Sequence, residues 1–245
     1  MQNDDEKFDA PDLPLKGWFP YHARVFLLGM MKIYELCGDE NFLKEAAQQA
    51  FIMHENMQDK ERKLLYHAWD ESRQKEWSNK ETGLAPEFWG RALGWYVVAV
   101  LDIMECMDKE CEQYKRLSAI EKEVLLAVLS YQNKENKLWY QVVNKADCEG
   151  NWPESSCSCL YVYAAAKAVR MGIIEKEYLE TALSGFEAII ETFVRFEGDN
   201  LILSGVCIGT GVLDYNGYIN RPTSENDLHG MGAFLLMCSE IAKVE

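Results

Sequence analysis

Between residues 67 and 95 the chain reads His-Ala-Trp-Asp-Glu-Ser and then, after a polar stretch, Pro-Glu-Phe-Trp-Gly-Arg-Ala-Leu-Gly-Trp. An imidazole, two indoles and a guanidinium, those of His67, Trp89, Trp95 and Arg91, thus fall within 29 residues. Indole faces stack on sugar rings, a guanidinium grips a carboxylate through two parallel N–H groups, and an imidazole donates to a hydroxyl. Recognition of an acidic sugar needs this set. The spacing places Trp89, Arg91 and Trp95 at one end of a helix beginning near Pro86, not along one stripe of it. A helix N-terminus leaves N–H groups unpaired and carries the positive end of the dipole, so Arg91 in its first turn adds to a region that already favours an anion.

Each of these residues also has a plainer reading. A lone histidine is most often a satisfied structural group, but His67 stands at the end of a loop beside the aromatic motif, where function concentrates. His229 falls in the first turn of a helix, and both readings stay open for it. Trp69 and Trp77 read as packing or loop anchors. Asp70 and Glu71 resemble an acid/base pair, yet sequence neighbours point different ways and tend to bond nearby backbone. Glu154, ahead of Ser155 and Ser156, reads as a helix start.

With 245 residues, 48% hydrophobic and 12% aromatic, the chain can bury a sizeable core as one domain over 1–245. The balance of 40 acidic against 25 basic residues gives a formal charge of −15, which repels nucleic acid and anionic membranes. A small anionic ligand remains compatible, because a cleft feels its local groups. Eight scattered cysteines without a C-x-x-C pair argue against structural zinc and for free thiols in a reducing compartment. No metal or cofactor is expected. The acidic amino end lacks a secretory signal, and no stretch reaches the ~20 apolar residues needed to span a bilayer, so a cytoplasmic location is expected.

The elements that must position the chemistry are helical. Apolar residues recur at three- and four-residue spacing over 22–37, 41–57, 87–107, 110–132, 156–171, 176–196 and 226–243, predicting seven helices and an all-α fold. Short strand signals lie between helix pairs at Lys63–His67, Lys137–Gln141 and Asn200–Ser204. Two of these belong to a repeat: Asp-Lys-Glu-Arg-Lys-Leu-Leu-Tyr-His (59–67) matches Asn-Lys-Glu-Asn-Lys-Leu-Trp-Tyr-Gln (133–141) at a spacing of 74 residues. A weaker third copy reads Glu-Gly-Asp-Asn-Leu-Ile-Leu over 197–203. The repeat predicts stacked helical hairpins whose loops emerge at a common end, where a site would be built. Thr223-Ser-Glu-Asn-Asp227 supplies cap residues for the last helix.

These stretches, with Thr82-Gly-Leu-Ala-Pro-Glu-Phe-Trp-Gly-Arg-Ala-Leu-Gly-Trp-Tyr96, Glu154-Ser-Ser-Cys-Ser158 and Asn220-Arg-Pro-Thr-Ser-Glu-Asn-Asp-Leu-His-Gly230, resemble glycoside hydrolase family 105. That family comprises unsaturated rhamnogalacturonyl hydrolases and relatives that act on fragments left by pectin and polysaccharide lyases. The resemblance implies an (α/α)6 toroid, of which 245 residues at 63 to 74 per hairpin supply three to four, with the amino-terminal hairpins lacking. Exposed hairpin faces on such an arc would favour self-association into a homo-oligomer. The implied partner is a small oligosaccharide ending in an unsaturated uronic acid. The implied reaction is hydration of its C4=C5 double bond by an aspartic acid that protonates the alkene and activates water, after which the hemiketal opens.

In this chain the stretch that matches the aspartate's surroundings is Gly17-Trp18-Phe19-Pro20-Tyr21-His22, where the acid's place falls on Pro20 or Tyr21. Neither can act, since proline does not ionise and tyrosine has an unperturbed pKa of about 10. Asp9 and Asp12 lie upstream, and the catalytic residue stays unassigned. The family's substrate contacts carry over to His67, Trp89, Arg91 and Trp95, expected to surround one hollow open to water. The reading is therefore a glycosidase for unsaturated uronyl oligosaccharides of rhamnogalacturonan type. The alternative is a noncatalytic carbohydrate-binding remnant. A protein-interaction scaffold is the weakest reading, because scaffolds spread their contacts along an arc.

Overall fold

The computed structural model describes residues 20–244, with side chains from Gly29 onward. Asp9, Asp12, Trp18 and the side chains of Pro20 and Tyr21, around which the acid was expected, lie outside the described residues. Among the described residues are seven longer helices: α1 (Pro20–Cys37), α2 (Asn41–Met57), α3 (Gly90–Glu105), α4 (Glu112–Ser130), α5 (Ser155–Met171), α6 (Tyr178–Phe193) and, after the one-turn α7 (Tyr215–Ile219), α8 (Leu228–Ile241). Two short antiparallel pairs accompany them, β1 (Val194–Glu197) with β2 (Asn200–Leu203) and β3 (Val206–Cys207) with β4 (Thr223–Ser224).

The apolar pattern of each helix decides its layer. α5 is buried on every side from Ser155 to Ala168, and α3 on every side except near Asp102 and Glu105, so both must be surrounded. α4 and α6 bury one stripe each, the latter through Ala182, Gly185, Ile189 and Phe193, and cover the outside. Successive packing of α1 on α3, α3 on α5 and α5 on α8 makes an inner row, with α2, α4 and α6 outside it. Close approach needs small residues: a Cβ on Gly94 would stand 2.8 Å from the Leu160 side chain. This is an all-α stack of helical hairpins of the toroid type, with three hairpins and a final inner helix among the described residues.

Because hairpins alternate in direction, the connections α2–α3, α4–α5 and α6–α8 all emerge at one end, over the N-termini of α3, α5 and α8. The short turns lie at the other. The common end expected from the repeat is therefore present, and its loops are long enough to meet.

Several expectations need correction. The helix expected from residue 87 begins at Gly90, because Ala85 and Glu87 are held in a ladder: Ala85 N–H donates to the Ala68 carbonyl at 2.9 Å and His67 N–H to the Glu87 carbonyl at 3.0 Å. The helix expected to reach 196 stops at Phe193, where Val194 starts β1. Of the three strand signals only Asn200–Ser204 forms a strand; the others make isolated bridges, Gln58 with Leu65 and Tyr140 with Pro153.

The third repeat copy is also elsewhere. Residues 197–203 form the β1–β2 hairpin, turning at Gly198 with φ +62°. The loop geometry shared by 59–64 and 133–138 recurs instead at 79–84: Asp59, Asn133 and Asn79 each accept two backbone N–H groups through one side-chain oxygen. Each also donates its own N–H to the leucine five residues on. The left-handed position is filled by Lys63, Lys137 and Gly83.

Candidate functional site

Three of the four residues expected to bind substrate meet beneath the converging loops. His67 ends an extended segment of the α2–α3 connection, Trp89 is the N-cap of α3 with extended backbone, and Arg91 lies in the first turn. The His67 and Trp89 rings stand 4.5 Å apart, and the Arg91 guanidinium lies over the Trp89 ring at 4.8 Å. Trp95, more than a turn further along α3, packs into the main helical core.

The loops ahead of α5 and α8 lock this group. Gln141 accepts from the Trp89 indole at 3.0 Å and donates to the Tyr218 carbonyl at 3.3 Å. Tyr218, on α7, stacks over Trp89 at 6.0 Å between centroids, and its hydroxyl lies 2.5 Å from His67 Nδ1. Arg91 donates to the carbonyls of Cys207 at 2.5 Å and Ile208 at 2.8 Å. Glu154, fully buried at the N-cap of α5, accepts from the backbone of Cys157 at 2.7 Å and of Cys207 at 2.9 Å, and stands 3.9 Å from Arg91. One carboxylate thus ties the starts of α3 and α5 to β3 and faces the buried Arg91 charge, whose Nε has no hydrogen-bond partner among the described residues.

Electrostatics fixes the protonation of the ring. Burial first, and the Arg91 charge second, lower the His67 pKa to about 3, so the imidazole is neutral at physiological pH. The Tyr218 hydroxyl is fully buried; the Leu213 backbone N–H can only donate to it, and His67 Nδ1 is the acceptor described for it. Its hydrogen must therefore go to Nδ1, since the reverse arrangement would leave a buried O–H without an acceptor. The proton of His67 then resides on Nε2, which makes that atom a donor.

The expected hollow is filled. His67 and Trp89 are 2% exposed and Arg91 1%, because Tyr218 and the Cys207–Ile208 backbone occupy the space beside them. Tyr218, Gln141 and Glu154 complete the cluster. Glu154 was legible as a helix start, Gln141 as the last residue of the repeat copy at 133–141, in the place His67 holds in the first copy, and Tyr218 on α7 carried no motif of its own.

The remaining candidates sit apart. Asp70 accepts from Ser72 and the Lys75 N–H within its own turn; burial pushes its carboxyl up, but these bonds outweigh burial and bring it down to about 2. It is a turn carboxylate, as its contacts with nearby backbone foretold. Glu71 is exposed. His229 Nδ1 lies 2.6 Å from Asp227, the N-cap of α8, at the rim of the same end. The Trp69 indole donates to the Thr82 carbonyl at 3.2 Å, anchoring the 70–82 excursion. All eight cysteines are free thiols, with Cys157, Cys159 and Cys207 buried. No helix among the described residues is long and apolar enough to cross a membrane.

Comparison with known proteins agrees with this architecture. The sequence profile described as Glycosyl Hydrolase Family 88 matches residues 25–245. A solved glycoside hydrolase of family 105 from C. acetobutylicum superposes with a TM-score of 0.89 at 33% identity, covering 93% of this chain and 65% of that one. Protein Atu3128 of Agrobacterium fabrum is 27% identical over 191 residues, 72% of this chain and 81% of its own length. The unsaturated rhamnogalacturonyl hydrolase YesR of Bacillus subtilis is 24% identical over 220 residues, 89% of this chain and 58% of its own length. The chain thus spans less than two thirds of both the solved structure and YesR. With a matching profile over most of its length and a toroid fold shared with a family 105 enzyme, the chain belongs to Glycosyl Hydrolase Family 88 and is of the family 105 type.

Proposed function

We propose that this chain serves in a glycosidase for unsaturated uronyl oligosaccharides, of the rhamnogalacturonan-derived kind, acting by hydration of the C4=C5 double bond. The observation that carries the reading is the meeting of the His67 imidazole, the Trp89 ring and the Arg91 charge under three separate loops. In this reading Tyr218 and the Cys207–Ile208 segment move aside for the sugar, after which His67 donates to a hydroxyl, Trp89 offers a ring face, Arg91 supplies the positive field for a uronate, and Trp95 lines the inner wall of α3. His67 cannot be the acid, because a pKa of about 3 leaves it neutral where it would have to give a proton. The proton donor stays unassigned in this chain, where the place of the family's aspartate falls on Pro20 or Tyr21.

The alternative, a noncatalytic carbohydrate-binding remnant, is favoured by one observation: two Arg91 nitrogens are already committed to backbone carbonyls and Glu154 stands beside them. Turnover separates the readings. Incubation with a lyase-generated unsaturated disaccharide should bleach the absorbance of the conjugated double bond. A folded chain that binds the disaccharide and leaves its absorbance untouched would establish the remnant instead.

A further inference from the structure

The excursion 70–82 between His67 and Trp89 carries a feature that the buried cluster does not use. A cavity of about 450 Å³ opens there, lined by Tyr66, Trp77, Ser78, Asn79 and Thr82 with the Leu84–Pro86 segment as its wall. We propose that this cavity is a second saccharide site, holding a pyranose ring of an oligosaccharide apart from the buried cluster.

The lining fits a sugar. A pyranose presents an apolar C–H face and a rim of hydroxyls, which calls for a flat ring beside small donors and acceptors. Tyr66 and Trp77 are partly exposed aromatics, and Tyr66 is fixed by stacking on Phe88 at 4.3 Å and by donating to Asp59 at 3.2 Å. Thr82 Oγ1 accepts from the Leu84 N–H at 3.3 Å, which leaves its O–H to donate. The Asn79 side chain spends its oxygen on Glu81 and Thr82, and its amide N–H groups take no partner among the described residues. None of the lining residues is charged, which disfavours a phosphate or a bare carboxylate as the primary ligand.

The loop is also rigid beyond what its connection requires. The copies at 59–64 and 133–138 directly follow α2 and α4 and end those helices, whereas the copy at 79–84 follows no helix. Gly83, at φ +79°, packs so closely that a Cβ there would stand 2.3 Å from the Asp70 carbonyl oxygen. A rim set in place before binding lowers the ordering cost for a ligand. Tyr66 and His67 are successive residues of one extended segment, so one faces the cavity and the other the cluster.

The test is an NMR titration of the full chain, following the Trp77 indole N–H, with a rhamnogalacturonan trimer, whose rhamnose carries no charge, and with cellobiose as a neutral probe. Only the choice of the trimer rests on the proposed function. The expected result is a saturable shift of Trp77 with at least one sugar, weakened about tenfold in Thr82→Val, and an equal weakening in Trp77→Ala, which is followed at the backbone N–H groups of Tyr66 and Thr82 because the indole is gone. Binding in Thr82→Val checks the site without removing a ring, and bleaching of a short unsaturated disaccharide should be unchanged in both variants. A Trp77 signal that neither sugar moves in the folded chain, or affinity unaltered by both substitutions, would overturn the proposal whether or not the chain turns over substrate.

Discussion

The Tyr218 hydroxyl lies 2.5 Å from His67 Nδ1 across 151 residues of sequence, and both side chains are closed off from water. The contact joins the loop before α3 to the loop before α8, so it is at once a tertiary tie and the device that sets the tautomer. Tyr218→Phe should cost about 1–3 kcal/mol in urea unfolding, the usual penalty for leaving a buried acceptor unpaired. In the parent chain, nitrogen NMR should find His67 neutral with its proton on Nε2 and unchanged from pH 8 down to 5. An imidazole that titrates inside that window would contradict the assignment.

Glu121 on α4 is fully buried, and neither carboxyl oxygen has a hydrogen-bond partner among the described residues. Burial first, and the Asp102 carboxylate on α3 second, push its pKa well above the ordinary value. The folded chain therefore keeps this proton while the unfolded chain loses it near pH 4.3, so the fold binds more protons and loses stability as pH rises from there toward the folded pKa. Glu121→Gln should remove that loss. Urea midpoints of parent and variant between pH 5 and 8 should diverge, the parent falling relative to the variant, and parallel curves would show that Glu121 ionises in the fold.

Glu154 accepts two backbone N–H groups and the Ser156 hydroxyl at 2.7 Å while facing Arg91. Glu154→Gln would turn an NH2 toward donors and leave the Arg91 charge with two carbonyls and the Ser156 hydroxyl, all uncharged. A loss of about 3 kcal/mol is expected, the size seen when one partner of a buried pair is removed. Thermal unfolding by circular dichroism checks it, and an unchanged midpoint would mean the pair does not hold the loops.

Much of this arrangement was legible before any coordinates. The helices stood out because α3 and α5 repeat apolar residues over several turns, and the Asp59 and Asn133 loops because their side-chain caps need a fixed spacing. Asn79 escaped notice because its loop ends in Gly83-Leu84 without the following tyrosine, although Asn-Lys-Glu recurs in it unchanged from 133–135. His67, Trp89 and Arg91 were readable as neighbours in sequence. Their closure was not, since Tyr218, Gln141 and the Cys207 carbonyl reach the cluster from distant loops, and a backbone carbonyl carries no residue signature.

The most direct measurement is a calorimetric titration of the chain with an unsaturated uronyl disaccharide beside its saturated counterpart, repeated with His67→Gln. The expected result is preferential binding of the unsaturated sugar, weakened about tenfold by the substitution, the loss of roughly one hydrogen bond. Equal affinity for the two sugars, or binding that His67→Gln leaves intact in a folded chain, would contradict a uronide site built on His67, Trp89 and Arg91.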